Sequence, residues 1–379
     1  MSSNQPSFVR TELADPLPPP RRSSGPIAWL HTNLFSTPLN SVLTIAAGVF
    51  LFWLAIPIWN FLVADAVFSD PEGLRGEACR FEGVGACWIF IQARFNFFIY
   101  GFYPADEIWR VNLMFLIGVI LLIPLLVPRA PVTRTAALLF FVVYPIVAYF
   151  LMAGGAFGLQ RIPTNRWGGL TLTLIISLIG IILSMPIGIL LALGRQSKLP
   201  IIKGFCVAFI ELWRAVPLIT VLFMASVMFP LFTPQGMQPD VLLRAIIGIV
   251  LFESAYMAEV VRGGLQAIPR GQREAANALG LSNLKTTGLI VMPQALKHVI
   301  PGIVNTFIAL FKDTSLVSII GIFELLNTVR AAGSDIAWQF PSDAVTGYVF
   351  AGFVFWIFCF AMSRYSIYME NRLHTGHRR

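Results

Sequence analysis

Glu253 stands near the middle of an otherwise apolar run, 246 to 258. An isolated carboxylate there costs on the order of 2.5 to 3.5 kcal/mol on insertion scales, so it must face a bundle interior or a wet cavity. Two roles fit: a polar pathway through the bundle, or a satisfied interhelical hydrogen bond. Further on, Lys312 and Asp313 lie side by side at the end of a second apolar run, followed by Thr314 and Ser315. A cation and an anion so placed would serve a zwitterionic ligand, whose carboxylate and ammonium both need partners away from water. The plainer alternative is a buried pair that fixes the core. Adjacent residues do not share a helix face, so at least one of the two should point to a neighbouring helix. Glu211 and Arg214, three apart, are spaced to meet on one helix face as an ion pair that anchors the helix.

Other chemistries lack their residues. The sequence contains no Gly-x-x-x-x-Gly-Lys-Ser/Thr loop to cradle nucleotide phosphates, a motif whose backbone N–H groups do that work. The four histidines, His31, His298, His374 and His377, form no nucleophile and base set, which argues against an enzyme. Four cysteines show no metal-ligand spacing, so no metal site is expected. Cys79 and Cys87 flank a short loop and are either bridged or two free thiols.

A polar island separates two apolar runs between Arg262 and His298. It carries Arg262, Arg270, Arg273, Lys285 and Lys297 against Glu274 alone, so the positive-inside bias places it in the cytoplasm. Residues 272 to 279 are rich in helix formers, Gly280 can take the left-handed conformation that ends a helix, and Ser282 can cap the next. Two short helices are expected, the second interrupted by Pro293. A helix-turn-helix too polar for lipid and too short to be a domain is most simply a docking surface.

These residues carry a resemblance. Glu274-Ala275-Ala276, three residues, Gly280, nine residues, Ile290, one residue, then Met292-Pro293 is similar to the EAA loop of ABC-transporter permeases, with Met292 where Leu is usual. Flanking stretches, 254 to 259, 262 to 266 and Lys312-Asp313-Thr314-Ser315-Leu316, resemble the polar amino-acid (histidine-permease-like) branch. Residues 211 to 218 resemble its E-x-aromatic-R-G-T-P-L, with Ala215-Val216 in place of Gly-Thr. The resemblance covers about 165 to 365 and is closest to permeases of general L-amino-acid importers. It implies that Glu274, Ala275, Ala276, Gly280, Ile290 and Pro293 form a coupling helix seated in an ATPase dimer. It also implies a second homologous permease, identical or not, and a periplasmic amino-acid-binding protein. The subunit itself would bind no cofactor, with ATP and Mg on the ATPase, and Glu253, Lys312, Asp313, Thr314 and Ser315 are candidates for the amino-acid pathway.

The elements that must position these groups follow from composition. Of 379 residues 56% are hydrophobic and 12% charged, with a mean hydropathy of +0.75, whereas soluble domains are about 25% charged. The net charge of +8 is spread over short loops and tails, where topology explains it without nucleic acid. The expectation is an all-α integral membrane protein of about eight transmembrane helices, at 41–64, 111–128, 135–153, 168–194, 205–232, 241–261, 299–322 and 344–364. Residues 1–38, Pro-rich and polar, should be a disordered cytoplasmic tail, with the first span an uncleaved anchor. Residues 39–160 form a three-helix extension whose long segment 65–110 lies in the periplasm. Its aromatic stretch, 95 to 103, either lies at the membrane surface or folds over the helix ends. The last five helices, within 161–365, would form a type I ABC importer permease core with the coupling loop at 262–298. A basic cytoplasmic tail, 366–379, ends the chain.

Both termini would be cytoplasmic in a multi-pass protein of the bacterial inner membrane, surrounded by lipid. A secondary transporter coupled to ions, and a membrane scaffold without its own pathway, are the alternatives. An ATPase that stays bound in mild detergent separates the first reading from both.

Overall fold

The computed structural model describes residues 25–69, 76–127, 132–234, 238–340 and 342–373, and the chain divides into one unit ending at Ala66 and a second beginning at Val67. In the first unit, α1 (Pro26–Asn33) and α2 (Pro38–Trp59) both open on a proline, which suits the first turn because its missing N–H would have no helical acceptor there. Thr37 caps α2 by accepting from the Asn40 N–H at 3.1 Å. Together with a π turn the helix runs 27 residues, Pro38–Ala64, and α2 buries none of its residues. A helix apolar all round and exposed along most of its length suits lipid. Most of the tail expected to be disordered, 1–24, lies outside the described residues. Its remainder differs from expectation, since 26–33 is helical.

The second unit begins with Val67, whose N–H and C=O bond Ala86 and Trp88 at 2.9 Å each. Helix α3 (Trp88–Tyr100) follows. Its Ile89, Phe90 and Phe98 are fully buried, with Leu325, Val329, Trp338 and Phe340 in the same cluster. The 95–103 stretch, one reading of which was a loop folded over the helix ends, is in fact the end of a helix and the turn after it. A 13-residue helix is too short to span a bilayer and instead puts its aromatic side chains against later helices. Next come α4 (Ile108–Leu126), α5 (Thr133–Leu138), a π turn, and α6 (Tyr144–Ala153). Gly118 on α4 leaves room for Tyr144 of α6, since a Cβ there would lie 2.5 Å from the Tyr144 hydroxyl. That hydroxyl donates to the Met114 carbonyl at 3.2 Å.

The remaining elements are α7 (Gly169–Arg195), α8 (Pro200–Ala215), α9 (Leu218–Phe223), α10 (Val241–Ala267), α11 (Arg270–Ala278), α12 (Asn283–Lys285), α13 (Met292–Asp313), α14 (Leu325–Gly333) and α15 (Asp343–Leu373). Helices α7, α10 and α13 form the centre, packed through small residues. At Gly264 of α10 a Cβ would lie 2.6 Å from the Ala295 carbonyl oxygen of α13, so the two backbones meet directly. Among the described residues seven helices are long and apolar enough to cross a membrane, or eight if one bent pair counts as a span. The protein is therefore a nearly all-helical, multi-span membrane protein.

Three expectations need correction. The span at 205–232 is broken: α8 and the helical stretch from Leu218 to Phe232 meet at 102°. Pro217 has no N–H to continue α8 and drives Val216 into extended backbone, φ −102°, ψ 134°. Pro293 does not interrupt its helix, which runs from Asn283 to Ile320. A π turn at Thr286–Val291 widens the register just ahead of the proline, one of the known ways a helix accommodates irregularity. Helix α15 continues to Leu373, so the basic tail from 366 is helical over its first residues, and 374–379 lie outside the described residues.

Candidate functional site

The polar island forms a compact surface at one end of the bundle. Helix α11 ends in a paired hydrogen-bond closure: the Leu281 N–H donates to the Ala276 carbonyl at 3.1 Å and the Gly280 N–H to Asn277 at 2.9 Å. Gly280 stands at φ 75°, the left-handed region that a side chain strains. The Ser282 hydroxyl then accepts from the Lys285 N–H and caps α12. Ala276, 1% exposed, is the buried side of α11, while Glu274, Ala275, Gly280 and Pro293 face outward and Ile290 is half-buried. Lateral ties run from Arg273 to the Gln196 side chain at 3.2 Å, just past the end of α7, and from Gln294 to Gln272 at 3.4 Å.

Three residues on this surface escaped the sequence reading. Leu279, Leu284 and Leu289 are 80%, 85% and 70% exposed. Leucines at five-residue intervals in a strongly basic segment were the available signal. Each stands open to the outside among polar neighbours.

A charge network lies at the same end. The Glu259 carboxylate accepts from Arg195 at 2.6 Å and from Arg262 at 2.7 and 2.9 Å, with Arg214 at 3.7 Å. Arg195 also reaches Glu211 at 3.2 Å. The expected Glu211–Arg214 pair is thus not the one formed. Arg195 at the end of α7 takes Glu211, while Arg214 turns to Glu259 of α10 and sits 5.7 Å from the Tyr256 ring centroid. Charge-assisted hydrogen bonds across elements outweigh a solvent-exposed pair along one helix. The network joins the ends of α7, α8 and α10 nearest α11, and α10 leads within two residues into α11.

Deeper in the bundle, Glu253 of α10 is 2% exposed and close enough to Asp313 for the two carboxylates to act on each other electrostatically. Lys312, exposed where Asp313 is half-buried, acts electrostatically both on Asp313 and on Cys359 of α15. Thr314 and Ser315 spend their hydroxyl donors on the carbonyls of Phe311 and Lys312, at 2.6 and 2.8 Å. Their oxygens keep only acceptor capacity for a ligand. Glu253, Lys312 and Asp313 therefore carry what ionic chemistry this region has. Among the described residues no group of three or more metal-ligating side chains occurs.

At the end opposite α11, Cys79 and Cys87 are joined by a disulfide with Cα atoms 5.8 Å apart. An ion pair between Arg94 and Asp335 ties α3 to the stretch following α14. Glu324, fully buried, caps α14 by accepting from the Leu326 and Asn327 N–H groups at 2.8 Å each. Burial pushes its carboxyl up to about 7, against those two donors, which hold it down.

These features define a class: a polytopic helical membrane protein with carboxylates of α10 and α13 near one another in its bundle and, at one end, a small exposed helical surface fixed to the central helices. The chain belongs to the family of binding-protein-dependent transport system inner membrane components, whose model matches residues 184–375. It is 52% identical to the inner membrane amino-acid ABC transporter permease protein YhdY of Escherichia coli (strain K12), over 95% of this chain and 96% of that protein. It is 38% identical to the glutamate/glutamine/aspartate/asparagine transport system permease protein BztC of Rhodobacter capsulatus, over 98% of this chain and 99% of that one. A solved amino acid ABC transporter with histidines aligns at a TM-score of 0.48 and 26% identity, over 54% of this chain and 92% of that chain.

Proposed function

We propose that this chain is the membrane permease subunit of an ABC importer for L-amino acids, and that the surface from Glu274 to Pro293 couples it to a separate ATPase. The observation that carries the coupling role is the construction of that surface. Its inner side is pinned through Ala276, and its outer side offers Ala275, Gly280 and three open leucines to a partner. Relatives named as amino-acid permeases along nearly their whole length support the substrate class.

In this reading the last five spans form a type I importer core and one half of the pathway. A homologous permease forms the other half, a periplasmic binding protein delivers substrate, and an ATPase dimer holding ATP and Mg clamps two coupling helices. The island and both termini face the cytoplasm of a bacterial cell. Glu253, Lys312 and Asp313 line the route, where an ammonium and a carboxylate both need partners.

The test is ATP-driven amino-acid uptake in proteoliposomes, together with retention of the ATPase in mild detergent. Gly280→Val, strained by roughly 1 kcal/mol or more in the left-handed region, and Glu274→Lys should insert normally yet lose retention or uncouple hydrolysis from uptake. Wild-type behaviour of both variants in both assays would remove the coupling assignment.

A further inference from the structure

Helix α8 does not run the way a membrane span does. The stretch that follows it, Leu218 to Phe232, climbs antiparallel to α10. Val221 and Ala225 pack at Gly248, 3.2 and 3.6 Å from where its Cβ would stand, and Arg244, one turn nearer the start of α10, donates to the Ser226 carbonyl at 2.5 Å. Because α8 is turned 102° from that stretch, it lies across α10 rather than along it. Its contacts agree. Cys206 packs on Gly194, five residues later Glu211 meets Arg195 at 3.2 Å, and Arg214 then reaches Glu259 of α10 at 3.7 Å. A helix running back beside α7 would have moved the second contact more than a turn up α7, whereas here it falls on the last residue of α7. From Val241 to Glu259 α10 rises about 27 Å, close to the roughly 30 Å thickness of a hydrocarbon core. Helix α8 therefore lies in the plane of the membrane, at its boundary on the α11 side.

The chemistry of α8 suits that depth. Cys206 and Ile210 are buried against α7 and α10, and on the opposite face Ile201, Phe205, Ala208 and Leu212 recur at helical spacing and stand exposed. The three large ones are 85%, 66% and 62% exposed. Two cations accompany the stripe: Lys198 and Lys203 are exposed, and neither meets a carboxylate among the described residues. An apolar stripe with unpaired cations beside it, lying in plane at the hydrocarbon boundary, is complementary to an anionic phospholipid layer. Water would satisfy the lysines but not the stripe, and an apolar polypeptide would cover the stripe but leave the lysines without a counter-charge.

We propose that α8 is an in-plane helix of the cytoplasmic membrane interface, with Ile201, Phe205 and Leu212 set among acyl chains and Lys198 and Lys203 holding the headgroups of anionic phospholipid. The side of the membrane rests on the proposed function, which puts α11 in the cytoplasm, and the in-plane lie rests on the packing alone. The lipid contact bears on coupling. Glu211 and Arg214 tie α8 to Arg195 and Glu259, at the root of the arm that carries α11, so phospholipid that holds α8 in place also steadies the charge network there.

The experiment uses the full chain, with whatever subunits co-purify, in lipid nanodiscs containing phospholipids that carry a diazirine either beside the ester or at the acyl-chain end. Labelled residues are mapped by peptide mass spectrometry. The probe beside the ester should label Ile201, Phe205 and Leu212 alike, and the chain-end probe should leave all three nearly unlabelled. A helix that crossed the bilayer would separate Ile201 from Leu212 by about 16 Å of depth, so chain-end labelling of Leu212 with ester-level labelling of Ile201 would overturn the proposal. Absence of label from the stripe with both probes, as under a polypeptide partner or in water, would do the same. Carried on phosphatidylglycerol, the ester-level probe should label α8 in preference to its phosphatidylcholine form by about fivefold per lysine, or about 25-fold for the two. Lys198→Gln/Lys203→Gln should bring that ratio close to one. Equal labelling by the two headgroups in wild type, or an unchanged ratio in the double variant, would refute the headgroup contact. Should the double variant fail to fold, high salt on wild type decides, since it must lower the ratio if the lysines set it. None of these readouts involves ATPase or substrate, so failure of the coupling assignment leaves them standing, and their failure leaves that assignment untouched.

Discussion

Truncating Leu284 and Leu289 isolates the energetic core of the proposed ATPase contact. At 85% and 70% exposure, neither side chain supports the fold, so Leu284→Ala and Leu289→Ala should change stability by no more than about 0.5 kcal/mol. Seating a leucine in a partner's cleft is worth roughly 1.5 to 3 kcal/mol. At about 2 kcal/mol each, a single truncation weakens ATPase binding about 30-fold, and the pair up to about a thousandfold if the two add. The measurement is the dissociation constant of the ATPase for the permease in lipid nanodiscs, alongside the melting temperature of the permease alone. Unchanged melting with affinity lowered as stated is the expected result. Affinity within threefold of wild type for the double variant would mean that the ATPase docks elsewhere and that these leucines lie idle.

Removing the Glu259 carboxylate leaves Arg195, Arg214 and Arg262 converging with only Glu211 nearby. Glu259→Gln should therefore lower stability by about 2 kcal/mol or more, and Glu211→Gln by far less, in thermal unfolding of the purified protein. Cys79→Ser, which opens a loop with a sequence separation of 8, should cost up to about 2.5 kcal/mol on the chain-entropy account. The loss should appear as faster hydrogen exchange in α3, and unchanged protection would place the stability of this region in its aromatic packing alone. Glu324 carries a pH signature. Its folded carboxyl titrates at about 7 rather than 4.5, so the native state holds the extra proton between those values and stability falls as pH rises through that window, levelling off above it. Wild type should lose stability relative to Glu324→Gln from pH 5 to 7, and a constant difference between the two would refute the assignment.

The membrane spans were legible because length and apolarity alone define them, and the polar island because Gly280 and Ser282 state its turn locally. What failed was decided at a distance. Glu211 and Arg214 satisfy the local rule for an ion pair, but Arg195 and Glu259, remote in sequence, make better partners. Val216-Pro217 marks a break that a hydropathy reading passes over, since both flanks are apolar. The burial of Phe90 and Phe98 depends on α14 and α15, which no window around residue 95 contains. Leu284 and Leu289 look like ordinary helix residues until the fold leaves them with nothing to cover them. Glu253 and Asp313 were singled out by the cost of charge in apolar runs. Their mutual proximity needed the packing of α10 against α13.

The contact between Gly264 and the Ala295 carbonyl has a mechanical meaning. Close-packed backbones do not yield as side chains can, so α10 and α13 have no play between them where α10 enters α11. Helix α10, 27 residues long, is then a stiff arm of about 40 Å. A tilt of about 5° about the α11 end sweeps the far end through roughly 3 to 4 Å and the level of Glu253 through roughly 2 Å. The first distance exceeds the length of a hydrogen bond and the second is enough to break one. A small push on the exposed surface is thereby geared up with distance, and the greatest travel arrives at the opposite mouth of the bundle.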